Sequence, residues 1–243
     1  MVQALFWGGL VGLALIIGAI FALLFSVPRK LTGYIMAFGT GILIGAAAFE
    51  LLGKVNEDKG YVYVILGFII GATLFTISEY YISKKGGHHR KRSKENNHNN
   101  SGKAIFIGTI IDAIPESMII GVGILKEHTV SWVIVLAIFI SNLPEALSST
   151  VGLKRDGYSK KKIMTMWSIV MVLSSLSSFS GYVIFNELSE QYVSFISGIA
   201  AGGIITMVSS TMMPEAYEEG GPIVGFVSAL GLLCSYVLSF IVH

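Results

Sequence analysis

The chain holds a single cysteine, Cys234, among 243 residues, so it forms no intramolecular disulfide and carries no Cys-x-x-Cys site. Charge is scarce as well: 13% of residues are charged, against roughly 25% in an ordinary soluble domain. The five histidines are His88, His89, His98, His128 and His243, and none lies inside a long apolar run. An intramembrane metalloprotease needs paired histidines on one helix, as in His-Glu-x-x-His, and that class is excluded. The apolar runs also lack lysine and arginine over their interiors. Any acid found there has no basic neighbour on its own segment.

What the chain has in abundance is hydrocarbon. Hydrophobic residues make up 53% of it, with a mean hydropathy of +0.71. Eight apolar runs occur at about 4–27, 33–53, 60–83, 104–125, 129–151, 163–185, 190–213 and 222–242, each near the ~20 residues that cross a bilayer as a helix. They are continuously apolar and do not alternate at period two, which favours helices over a β-barrel. The expected fold is an all-α polytopic membrane protein, one transmembrane domain over 1–243 with eight transmembrane helices. The first run follows Met1-Val2-Gln3, which lacks a basic leader region, so it reads as a retained membrane helix. Glycine pairs four residues apart (Gly8 and Gly12, Gly41 and Gly45, Gly67 and Gly71, Gly198 and Gly202) suit closely packed helices.

Basic residues set an orientation. The loops after spans one, three and five hold fourteen lysines and arginines and the other loops three, which places the odd-numbered loops in the cytoplasm and both termini outside. The location implied is the plasma (inner) membrane, multi-pass. The stretch 84–103 is rich in Lys, Arg, His and Asn without an apolar residue to bury until its end, and reads as a disordered basic cytoplasmic loop. Its histidines could bind metal loosely, or it is a solvated linker that enforces topology. No nucleic-acid partner is expected. Spans two and seven are both glycine-rich early and polar or acidic late, a faint sign of an inverted repeat.

Acids stand where they are costly. Asp112, Glu116 and Glu145 fall near the middle of spans four and five, with Glu50 and Glu79 nearer the ends of spans two and three. Each charge costs at least ~2.5–3.5 kcal/mol at the centre of a bilayer, so these carboxylates must be protonated, hydrated or paired with an external cation. Asp112 and Glu116 are four residues apart, on one face of a helix, and Ser141 and Glu145 repeat the spacing with Asn142 beside them. Pro115 and Pro144 directly precede the two glutamates and cannot donate to the carbonyls of Ile111 and Ile140, so a kink is expected in each helix. Neutral Ser141 or Asn142 could equally serve as interhelical hydrogen-bond glue.

On these residues the chain resembles the ZIP family of divalent metal transporters. Asp112-Ala113-Ile114-Pro115-Glu116-Ser117 is similar to the family's His-Asn-x-Pro-Glu-Gly, and Ser141-Asn142-Leu143-Pro144-Glu145-Ala146 to its second Pro-Glu motif. The tail Ser148 to Ser159 is similar too. Both motif histidines are replaced, by Asp112 and Ser141; Glu50 stands where a histidine is usual, Thr211 where an acid is, and Ala113 removes a second metal position. The resemblance implies a 3+2+3 inverted-repeat arrangement, a possible homodimer, and inward movement of a divalent metal. Zinc is the family default; manganese, iron and cadmium are open, because an oxygen-rich site suits harder cations. The implied ligands are Asp112, Glu116, Ser141, Asn142 and Glu145, with Glu50 and Glu215 along the path. The cation is cargo; no cofactor and no enzymatic activity are expected. The alternatives are a ZIP-like metal sensor or scaffold that does not transport, and a proton- or sodium-coupled carrier of another solute.

Overall fold

The computed structural model describes residues 1–53, 60–82, 101–127, 130–185 and 189–241, and these are helical with short turns and no strand. The helices are α1 (Val2–Leu24), α2 (Arg29–Gly45), α3 (Tyr61–Ile82), α4 (Ser101–Glu127), α5 (Trp132–Arg155), α6 (Lys160–Ile184), α7 (Glu190–Met207), α8 (Met213–Gly220) and α9 (Ile223–Ile241). Eight of the resulting segments are long and apolar enough to cross a membrane, α7 and α8 together forming one of them. Their surface is apolar in the way lipid contact requires: Phe226, Phe240, Ile241 and Ile69 are all more than half exposed. The expected loop 84–103 lies outside the described residues up to position 100, and α4 begins at Ser101.

Two groups of helices make up the bundle. In one, α1 packs against α5 and α6, and α4 against α5 and α6; in the other, α3 packs on α7, and α2 on α8 and α9. The main join between the groups is α2 against α5. As a result α5 is the axial helix, 78% of its apolar window being buried against 17% for α3. The glycine pairs lie on the seams. Gly8 and Gly12 meet α6, Gly41 and Gly45 meet α9, Gly67 and Gly71 meet the α7 backbone at Phe195 and Ile199, and Gly198 and Gly202 meet the α3 backbone at Val64 and Phe68. At Gly71 an added Cβ would run into the Ile199 carbonyl, so the α3–α7 spacing exists only because the side chain is hydrogen.

Departures from α geometry fall elsewhere than expected. Both α4 and α5 continue through Pro115 and Pro144. The irregular stretches are instead a π-helical segment at Ala46–Leu52 that ends α2 and another at Val208–Met212 between α7 and α8. The second has a visible cause. Pro214 cannot donate to the carbonyl four residues back, and the hydroxyls of Thr206, Ser209, Ser210 and Thr211 each bond a carbonyl one turn earlier. Single-turn π segments are frequent at functional sites. These two occupy matching late positions in spans two and seven.

Candidate functional site

Glu50, Asp112, Glu116, Glu145 and Glu215 are all buried, each at 7% exposure or less. Burial of five carboxyl groups in one apolar bundle is the feature any function must explain. Asp112 and Glu116, one turn apart on α4, open onto a shared cavity of about 180 Å³ between α3, α4 and α7. Its other walls are mostly apolar: Phe75, Ile119, Ile204 and Met207 among them, with Ser78 the one hydroxyl. Helical spacing alone brings the two acids together, because residues four apart share a face.

No residue of α5 lines this cavity; α5 packs against α4, which carries both acids. Ser141 donates to the Ile138 carbonyl of its own helix at 3.0 Å, and the Asn142 amide nitrogen donates to the Val11 carbonyl of α1 at 3.1 Å. Each bond uses a donor, so the hydroxyl oxygen of Ser141 and the amide oxygen of Asn142 keep lone pairs suited to a cation. Among the described residues, no three histidine, cysteine, aspartate or glutamate side chains converge as a ready-made metal centre. Asp112 and Glu116 are thus brought to one cavity, while Glu145 sits on the neighbouring helix.

Glu50 and Glu215 mark the two ends of the bundle. Glu50 lies in the first π segment and accepts from the Ser131 hydroxyl at 2.8 Å; the two border a small space of about 30 Å³ with Val122, Gly123 and Ile119. Ile119 also lines the central cavity and so separates the two spaces. At the other end, Glu215 on α8 accepts from Ser148 at 3.2 Å. Ser148, one turn past Glu145, lines a cavity of about 630 Å³ together with Arg29, Lys154, Arg155 and Glu219. Beside it, Trp167 is fully buried and its indole N–H donates to Thr150 at 2.8 Å, fastening α6 to α5.

Sequence reasoning found the acids but missed the hydroxyls that hold the terminal pair. Ser131 carried a legible signal only as a helix cap: it precedes an apolar run and its oxygen accepts from the Ile134 N–H. Nothing in the sequence links it to Glu50, 81 positions away. Ser148 falls in the stretch singled out for its likeness to the metal-transporter family, without any indication that it faces Glu215. Thr211 donates to the Met207 carbonyl of its own helix.

No family model matches the chain. Among curated proteins it is similar to one from Arabidopsis thaliana whose name marks it as a candidate zinc transporter, with 24% identity over 209 residues. The alignment covers 85% of this chain and 33% of the relative, so the chain spans about a third of the length of the curated protein it matches.

Proposed function

We propose that the chain carries a divalent transition-metal cation across a membrane through a carboxylate-lined site, in the manner of a ZIP transporter, with zinc the first candidate. The observation that carries this reading is the pair Asp112 and Glu116, both buried and both opening onto one cavity between α3, α4 and α7 with mostly apolar walls. Burying two carboxylates so close together is costly, and a dication offsets the charge of both at once. Glu145 supplies a third carboxylate from α5, and Ser141 and Asn142 supply neutral oxygens. Ser78 and the resemblance of the two Pro-Glu motifs complete the oxygen-rich character. The likeness to the Arabidopsis protein supports the same substrate class.

The proposed path starts at Glu50, passes Ile119 to Asp112 and Glu116, continues to Glu145 and leaves past Ser148 and Glu215 into the large cavity. That cavity sits at the end where Arg29, Lys154 and Arg155 gather, the end the positive-inside rule assigns to the cytoplasm. Movement is inward, in a plasma or inner membrane, and the paired π segments in spans two and seven support an inverted repeat. The deciding experiment is uptake of Zn2+, Mn2+, Fe2+ and Cd2+ by proteoliposomes holding wild type, Glu116→Ala or Glu145→Ala at matched abundance. Wild type should take up at least one of these metals and both variants should fail. Uptake unchanged in both variants would remove the site from the path, and a well-folded wild type that moves no metal would favour a sensor.

A further inference from the structure

The two serine–carboxyl bonds share a helix. Ser131 is the residue ahead of α5 and Ser148 lies near its other end, 17 positions on, which is about 25 Å along a helix. Their acceptors belong to the other helix group: Glu50 to the π segment ending α2, and Glu215 to α8 directly after the π segment of α7. All four side chains are at most 9% exposed. The axial helix is therefore pinned to the second group at two points by the same chemistry, one at its start and one two turns before its end.

We propose that Ser131 and Ser148 are positioning residues forming two latches, Ser131–Glu50 and Ser148–Glu215, and that release of one latch opens the central cavity to that end alone. The inference rests on the transport reading above and adds the parts that would decide which face is open. Three observations carry it. At the Ser131 latch the space bordering Ser131 and Glu50 is small, about 30 Å³ against about 180 Å³ beside Asp112 and Glu116, so this end is the more tightly packed. At the other end the large cavity reaches Ser148, whose hydroxyl is held by Glu215. Each acceptor is carried by or next to a π segment, where the backbone ladder is already out of α register and bends at small cost. With both bonds made, this structure is latched at both ends.

Loss of one hydroxyl should shift the closed-to-open equilibrium at that end by about three- to fifteenfold, the range of hydrogen bonds measured inside membrane bundles. The reporter is Gly203→Cys in a Cys234→Ser background: Gly203 lines the central cavity, and a Cβ there meets nothing within 4 Å. A membrane-impermeant thiol reagent is applied to one face at a time, in oriented vesicles without transported metal. Ser131→Ala should raise the labelling rate from one face and Ser148→Ala from the opposite face, while Ser131→Thr and Ser148→Thr, which keep the hydroxyl, should label as the parent does. Should an alanine variant fail to fold, Glu50→Leu or Glu215→Leu removes this bond together with the acceptor's other contacts, and should shift labelling toward the same face. Equal changes at both faces, no change in either variant, or threonine variants that behave like alanine would overturn the latches. Because labelling is read without metal, the latches can fail while uptake stands, and uptake can fail while the latches stand.

Discussion

Gly202 and Gly203 are adjacent on α7, yet alanine at the two positions should have opposite effects on stability. In a helix interior, alanine is favoured over glycine by about 0.5–1 kcal/mol, and both substitutions gain this. At Gly203 nothing lies within 4 Å of the added carbon, so the gain stands and Gly203→Ala should stabilise by up to about 1 kcal/mol. At Gly202 the same carbon would run into the Phe68 carbonyl oxygen, with the Phe68 carbonyl carbon at 2.9 Å and the Ala72 nitrogen at 3.0 Å. These are backbone atoms of α3 and cannot rotate aside. The α3–α7 seam must open, at a cost of about 1–3 kcal/mol for overpacking, sometimes more. That exceeds the propensity gain, so Gly202→Ala should be net destabilising by about 1–2 kcal/mol. Thermal unfolding of the purified variants in one detergent, followed by loss of the monodisperse chromatographic peak, measures both. A shift of the same sign in the two variants would refute the packing argument, since helix propensity alone treats them alike.

Three further outcomes follow from particular contacts. Trp167→Phe removes the bond to Thr150 and leaves a cavity where the indole was larger, and should cost more than the ~0.6–1.7 kcal/mol of the bond alone in the same unfolding assay, with metal preference unchanged. Asn142→Leu removes both the bond to Val11 and an amide oxygen; a similar loss of stability with unchanged metal preference would mark Asn142 as helix glue, whereas the proposed ligand role requires the preference among Zn2+, Mn2+ and Cd2+ to change. Restoring nitrogen donors with Asp112→His and Ser141→His together should move competition uptake toward Zn2+ and away from Mn2+, because imidazole suits the softer ion. An unchanged Zn2+ to Mn2+ ratio would place both residues off the path.

Much of this arrangement was legible before any coordinates, because a bilayer enforces simple rules. Length and unbroken hydrophobicity suffice for the eight segments, and i, i+4 spacing suffices to put Asp112 and Glu116 on one cavity. Glycine pairs announced the seams, since only close backbone approach gives such spacing a purpose. Each of Pro115 and Pro144 deletes one hydrogen bond, but the surrounding helix carries on through it, and the visible irregularity moved to α2 and α7. For α7 the cause could have been read from Pro214 and the run Ser209-Ser210-Thr211 before it. For α2 the stretch Ala46-Ala47-Ala48 holds no such cue. The terminal pairs Ser131–Glu50 and Ser148–Glu215 were out of reach for a different reason: partners 81 and 67 positions apart are joined by topology, not by local pattern.

The central claim is that carboxylate oxygens, with no histidine, hold a divalent cation inside the bundle. X-ray absorption on zinc bound to the purified protein tests it most directly, in a variant with His88, His89, His98, His128 and His243 all replaced by alanine. The account expects zinc to remain bound with an oxygen shell at about 2.0–2.2 Å, and binding to be lost when Glu116→Ala and Glu145→Ala are added. Zinc that leaves with the histidines, or that stays after both glutamates are gone, would contradict it.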